Sequence, residues 1–248
     1  SKWGSLNCNS PEMYDLCFPE GIAVDSNNNV YVSDRGNGRI VKYSSSGVYI
    51  TAWNSRYAND VAIDSNDNVF VIEYNGVKKL DSNGNVVSEW GSYGCAYNGP
   101  LSDGAFCFPD GLAVDSSGNV YVGDSSNYRV QKFDNNGNYI LQWGQNGYGD
   151  NEFLMISGIS VLSSGNIAVL DRNGSIVREF DNTGTFVQRW NVVENDTYGI
   201  FTDDSGAIYV TASSPNKIIK FDSSGTKTDE WGSKGSSYTN AGSLSNGI

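Results

Sequence analysis

Oxygen donors recur at one place in this sequence, just ahead of a glycine or its replacement. They are Glu20, Asn59, Asp110, Ser157, Tyr198 and Asn246, with Asp60 standing where the others have glycine. Carboxylates and amides suit a hard cation, so calcium at Glu20, Asn59 and Asp110 is the metal chemistry this pattern would support. The plainer expectation for the same positions is a polar passage filled with water. A second recurring pair, Asp34 with Arg39 and Asp124 with Arg129, brackets a short turn and has the composition of an acid–base dyad. Its recurrence argues for a structural ion pair, because a catalytic site is built once. Asp25, Asp64 and Asp115 each open an Asp-Ser-x-x-Asn segment. These lack the glutamate at the twelfth position of a calcium loop, and Asx-turn chemistry accounts for them. No Gly-x-Ser-x-Gly motif is present. The reading is therefore no catalytic residue and no required cofactor, with calcium as the exception to test.

Charge narrows the partners. Lys and Arg total 16 against 28 Asp and Glu, a formal charge of −12. Such a surface repels phosphate backbones, so nucleic acid is not an expected partner. No run approaches the 18 apolar residues of a membrane helix, so no membrane insertion is expected. The chain opens on Ser1-Lys2-Trp3 in mid-pattern, as a processed or trimmed product would. Four cysteines allow three pairings, among which sequence does not choose. The local pairing, Cys8–Cys17 with Cys95–Cys107, is expected because each bond would staple a loop poor in apolar residues. Long spacings without histidine fit zinc badly. Disulfides imply an oxidising compartment, and the glycosylation triplets at Asn173 and Asn195 agree with export.

The elements that must position these residues are repeats. Phe18-Pro19-Glu20-Gly21-Ile22-Ala23-Val24-Asp25 returns as Phe108-Pro109-Asp110-Gly111-Leu112-Ala113-Val114-Asp115, with degenerate copies near Tyr57, Met155 and Thr197. Each copy continues into a polar turn and a triplet such as Val30-Tyr31-Val32 or Ile208-Tyr209-Val210. A third run follows, then a Ser/Asn-Gly turn and a fourth run ending in tryptophan. All six tryptophans (Trp3, Trp53, Trp90, Trp143, Trp190 and Trp231) hold that place. Runs this short, rich in Val, Ile and Tyr and bounded by turn residues, are strands. Asn83-Gly84, Asn136-Gly137 and Thr183-Gly184 supply the positive φ that tight hairpins need. Four antiparallel strands per unit predict the blades of an all-β propeller, packed face to face with tryptophan between them.

The residues resemble the NHL repeat. Its pattern, Pro-x-Gly-Ile/Leu-Ala-Val-Asp, then Val-Tyr-Val-x-Asp, then Asn-x-Arg-Ile/Val-x-Lys-Tyr/Phe, reads through Pro19 to Tyr43 and Pro109 to Phe133. The histidine usual in the third-strand signature is absent, Gly38 and Tyr128 standing before the arginine. The resemblance implies a propeller whose relatives include sensors, RNA-binding modules, lyases and adhesive proteins. With no histidine in the chain, a His-ligated lyase is excluded, while a carboxylate-and-amide calcium lactonase is not. One domain spanning 1–248 is expected, with blades at about 18–53, 57–90, 108–143, 153–190 and 197–231. Residues 1–5 and 244–248 would belong to a closing blade. Six blades are favoured, the sixth incomplete, and five stay open.

Alternating turns divide the two faces of such a disc. The inter-blade loops carry the variation, including both cysteine segments, so binding is placed there. Tyr14, Tyr57, Tyr97, Tyr148 and Tyr198, with Glu20, Asn59 and Asp110, are the candidate binding residues. Tyr93 lies in the same loops. Tyrosine offers apolar area with a polar tip, common at interfaces. The functional expectation is a secreted or cell-surface module binding protein or glycan. A subunit of a self-assembling surface or filament structure comes second, and a calcium-dependent lactonase-like hydrolase third.

Overall fold

The computed structural model describes residues 5–6, 8, 15–96, 101–214 and 216–232. Among them there is no α-helix; short 3-10 turns stand at Arg35–Asn37 and Ser125–Asn127. Strands β1 (Ser5–Leu6) and β2 (Asp15–Leu16) form a short parallel pair. The first blade follows as β3 (Pro19–Val24), β4 (Val30–Asp34), β5 (Arg39–Tyr43) and β6 (Tyr49–Asn54). The second is β7 (Asp60–Ile63), β8 (Val69–Glu73), β9 (Gly76–Leu80) and β10 (Val86–Trp90). A second parallel pair, β11 (Ser92–Tyr93) and β12 (Ala105–Phe106), precedes the third blade. That blade is β13 (Leu112–Val114), β14 (Val120–Asp124), β15 (Arg129–Phe133) and β16 (Tyr139–Trp143). The fourth comprises β17 (Ile156–Val161), β18 (Ile167–Asp171), β19 (Ile176–Phe180) and β20 (Phe186–Asn191). The fifth comprises β21 (Asn195–Thr202), β22 (Ile208–Ser214), β23 (Lys217–Phe221) and β24 (Lys227–Trp231). Within every blade the strands neighbour one another in chain order.

The all-β, four-stranded architecture expected from the repeats is present, in five blades. The expectation of a sixth blade is not supported. Ser5, read as part of a closing blade, pairs instead with Asp15 in the first cysteine loop. A local parallel bridge therefore uses a residue that sequence likeness assigned to a closing blade. Residues 1–4 and 244–248, which carried the rest of that reading, lie outside the described residues.

The chain divides into two compact units. One runs to Asn127 and takes in Gln131–Ile140; the other is Tyr128–Val130 with the residues from Leu141 onward. In the first unit, Tyr31, Ile40, Val61, Val69 and Leu80 form one core cluster, and Phe70, Phe106, Leu112, Val122 and Phe133 another. Leu170, Val177, Trp190, Val210 and Phe221 belong to the core of the second. The strands β14 and β18 are buried at every position, so both of their faces must be apolar. The outer strands β16 and β20 alternate between partly covered and exposed positions, as one-sided burial requires.

The tryptophans make one contact repeatedly. Four sit under the turn glycine of the following blade: Trp53 under Gly84 and Trp90 under Gly137 in the first unit, Trp143 under Gly184 and Trp190 under Gly225 in the second. A Cβ on Gly137 would lie 2.6 Å from Trp90 Cδ2, and one on Gly225 2.5 Å from Trp190 Cδ2. These glycines also hold φ between 80° and 87°. They thus answer two demands at once, the hairpin and the indole.

Aspartates close the turns. The carboxylates of Asp25, Asp64, Asp81, Asp115, Asp134, Asp181, Asp203 and Asp222 each accept backbone N–H groups two and four residues on. This is Asx-turn chemistry, and it employs much of the acidity the composition shows. Burial alone would raise the pKa of Asp25. Hydrogen bonds from Asn29, Lys42 and Tyr31 outweigh it and bring the value down to about 2.

Candidate functional site

The residues at the starts of the inner strands of the first unit form an acidic cluster. Glu20 pairs with Arg35 at 2.6 Å. Asn59 donates its side-chain N–H to the Pro109 carbonyl at 2.9 Å, while its Oδ1 is buried with no partner among the described residues. Asp60 accepts the Leu112 backbone N–H at 2.8 Å and packs so close over Gly21 that a Cβ there would lie 2.8 Å from the Asp60 Cα. The carboxylate in place of glycine therefore ties the first strands of neighbouring blades together. Burial, opposed by N–H groups of Val61 and Leu112 and assisted by Glu20, lifts the Asp60 pKa to about 6. Burial, then the charges of Asp60 and Glu20, lift Asp110 further, to about 8. Among the described residues no three Asp, Glu or Cys side chains are placed to hold a metal ion. The crowded carboxylates raise one another's pKa.

This gives a pH dependence of two signs. Asp25 and its counterparts, with pKa below the unfolded value, add stability above about pH 4 that is lost as pH falls toward about 2. Asp60 and Asp110, with pKa above it, lose stability as pH rises from about 4 through about 8. Thermal stability is expected to peak near pH 4–5 and decline toward pH 9. Asp110→Asn should flatten the alkaline decline, gaining on the order of 1 kcal/mol at pH 9. Melting curves across that range decide it: an unchanged slope in the variant would remove Asp110 as the cause.

Asp34 is structural. It accepts the Cys17 backbone N–H at 2.6 Å, Asn37 Nδ2 at 2.9 Å and Arg39 Nε at 2.8 Å. Asp124 likewise takes the Cys107 N–H at 2.7 Å and Asn127 Nδ2 at 2.8 Å. These bonds fix the residue before Phe18 and Phe108, and both phenylalanines adopt φ 47°. Tyr57 holds φ 55° and Asp196 φ 54° at the corresponding place. A left-handed backbone is costly for a bulky residue, and here it turns the side chain outward ahead of the first strand.

In the first unit that device contributes to an aromatic platform. Tyr57 lies 5.8 Å from Tyr74, Phe108 5.9 Å from Tyr74, and Tyr93 stacks on Tyr74 at 6.0 Å with the planes 1° apart. All four rings remain exposed: 56% for Tyr57, 43% for Tyr74, 43% for Tyr93 and 49% for Phe108. Tyr74 occupies the turn between β8 and β9, where the first and third blades have the small turns at Arg35–Asn37 and Ser125–Asn127. Beside the platform runs a groove of about 390 Å³ lined by Arg56, Tyr57, Glu73, Tyr74, Lys78 and Glu89. Glu73 Oε1 accepts Ser55 Oγ at 2.8 Å and Lys78 Nζ at 2.6 Å, and Lys78 also reaches Glu89 at 3.5 Å.

Residues 16–43 and 106–133 match the family model of the NHL repeat. Both stretches are NHL repeats, set in a fold of five four-stranded β-propeller blades. Solved structures agree on the fold. A chain of the nidogen–laminin complex is similar at TM-score 0.68 and 16% identity, over 86% of this chain and 79% of that one. A gluconolactonase from Xanthomonas campestris is similar at 0.66 and 16%, over 87% and 76%. A catalytically inactive histidine-to-alanine variant of virginiamycin B lyase from Staphylococcus aureus is similar at 0.64 and 17%, over 85% and 68%. Comparison with curated protein sequences gives no match.

The candidate residues do not converge. Glu20, Asn59 and Asp110 belong to the acidic cluster, and Tyr57 to the platform. In the second unit Arg172 lies 3.8 Å over the exposed Tyr198 ring and 3.6 Å from Asp196, while Tyr148 is exposed and apart from both. Tyr14 and Tyr97 lie outside the described residues. Asn173 is exposed in the turn after β18, and Asn195 begins β21. Tyr74 and Phe108 were not among the candidates. A bulky aromatic in a turn that the strong repeats fill with Gly and Ser was the available signal for Tyr74.

Bonds Cys8–Cys17 and Cys95–Cys107 are both formed. The second closes the loop between Tyr93 and Phe108 over a separation of 12 residues. Replacing Cys95 and Cys107 by serine is expected to lower unfolding free energy by about 2–3 kcal/mol. Denaturant titration of the double variant measures this, and a loss below about 1 kcal/mol would mean the loop is held by its other bonds.

Proposed function

We propose that this NHL propeller is an interaction module of an oxidising, extracellular compartment, binding through the platform of Tyr57, Tyr74, Tyr93 and Phe108. The observation that carries the reading is the exposure of four rings gathered around Tyr74, an apolar surface of the kind found at sites of recognition. The two disulfides support the compartment. The match to a chain of the nidogen–laminin complex supports the principle, a propeller of this fold taking part in a protein complex. The single-domain organisation over 1–248 is part of the same proposal. The test is a displayed random-peptide library and a glycan array, each probed with the wild type and Tyr74→Ala. Binders are expected whose affinity drops about 10-fold or more in the variant, the loss typical of a central aromatic. If neither library yields a Tyr74-dependent binder, the reading falls.

A hydrolase reading stands second, favoured by the orphaned Asn59 Oδ1 beside Asp110 and by the fold shared with a gluconolactonase. A rise of several degrees in Tm on adding calcium, abolished by Asn59→Ala, would move it to first place. Lyase chemistry of the virginiamycin B type has no support, because the chain has no histidine.

A further inference from the structure

We infer that the occupant of the platform and its groove is an uncharged carbohydrate chain. The inference rests on the binding reading above and names its ligand. Three features lead to it. The groove walls carry Arg56 and Lys78 against Glu73 and Glu89, so its formal charges cancel although the whole chain carries −12. A basic or acidic peptide would find no complementary field there. An uncharged ligand rich in hydroxyls meets both strong donors and strong acceptors within one groove.

Ring geometry is the second feature. A pyranose has an apolar face of C–H groups and an equatorial belt of hydroxyls, and the apolar face covers an exposed aromatic ring. Tyr74 stands between Tyr57 and Phe108 at 5.8 and 5.9 Å, with Tyr93 parallel to it at 6.0 Å. Tyr57 is tilted 48° and Phe108 85° from Tyr74, so the rings offer apolar surfaces in several orientations around it, which suits a chain of linked sugars better than a single one. The phenolic hydroxyls add polar contacts at the rim of the apolar area. Third, the volume of about 390 Å³ falls in the range of small-ligand sites. It is open to one side, so the ligand's remaining units would run over the exposed rings.

The experiment uses the full chain and an immobilised panel of neutral tetrasaccharides, β-1,4-linked glucose, mannose and N-acetylglucosamine, with sialylated and sulfated glycans as charged counterparts. Binding is then measured in solution by calorimetry for wild type, Tyr74→Ala, Tyr57→Ala and, in the second unit, Tyr148→Ala. At least one neutral tetrasaccharide is expected to bind. Its affinity should fall about 10-fold or more in Tyr74→Ala and Tyr57→Ala and stay unchanged in Tyr148→Ala. Melting curves confirm that the variants fold, and these exposed positions give no reason for them not to. Failure of every neutral glycan, with a displayed peptide still bound through Tyr74, would overturn the carbohydrate inference and leave the interaction reading standing. Binding of only the charged glycans would overturn it too, because the charge balance would then be irrelevant. Loss of Tyr74 dependence for glycans and peptides alike would sink both.

Discussion

Replacing Gly137 with alanine is expected to cost about 3–4 kcal/mol, while the same change at Gly165 costs about 1. Both glycines sit in tight turns with nearly equal backbone, φ 87° and 83°. An alanine pays the left-handed penalty at either site. At Gly165 nothing lies within 4 Å of the added carbon. At Gly137 the carbon would press on the Trp90 indole, with Cδ2, Cε3 and Cγ at 2.6, 2.7 and 2.8 Å. That indole cannot yield easily. It is wedged against Phe70 at 6.3 Å and Phe133 at 6.1 Å in the core of the first unit. Interiors packed this closely resist added volume, and the difference of about 2–3 kcal/mol isolates the steric part. Denaturant unfolding of the two variants measures it. Equal losses would show that the glycine is retained for its backbone alone.

Removing the carboxylate of Asp171 should be at least as damaging. Asp171 and Arg178 are 0% and 1% exposed, and their ion pair spans 2.9 Å. The aspartate also accepts the backbone N–H groups of Leu154 at 3.2 Å and Met155 at 3.0 Å. Arg178 donates to the Gly149 carbonyl at 3.1 Å and covers the Phe153 ring. Asp171→Ala would leave a buried guanidinium with one acceptor and two N–H groups with none, at a cost of about 3–5 kcal/mol. Glu20 and Arg35 form an equally short pair, at 2.6 Å, but their side chains are 34% and 46% exposed. Glu20→Gln should therefore change stability by less than about 1 kcal/mol. Parallel unfolding titrations settle both. If the double variant Asp171→Ala/Arg178→Met recovers none of the loss, the unpaired charge is not its source.

Much of this architecture could be read from residue order. Strand runs, turn aspartates and the terminal tryptophans are local patterns, each contained in a few neighbouring positions. The seat between Trp90 and Gly137 could not be read that way, because it joins two repeats and depends on how adjacent sheets lie against each other. Arg178 illustrates the same limit. Sequence placed the ion-pair arginine at the first position of the third strand, as Arg39 is. In the fourth blade the partner comes from two positions further on, with Ile176 taking the first place. Tyr57 was legible as a loop aromatic, but its grouping with Tyr74 and Phe108 arises from three separate connections. The calcium reading of Glu20, Asn59 and Asp110 went by donor type, whereas the bond Asp60 makes to Leu112 depends on how neighbouring strands pack.

The tryptophan seat has a bearing on how such a chain grows. The second, third and fourth blades each contribute a glycine that receives and a tryptophan that is received, and the two halves of one joint belong to successive copies. A tandem duplication of a single repeat therefore inherits both halves in the right order, with no second mutation needed to make the newcomer fit. Loops outside the seat are under no such constraint, and the connections carrying Tyr57 and Phe108 are unlike in sequence. Lineages built on this joint can lengthen or diversify by copying alone, while substitution at the glycine is the change they can least tolerate.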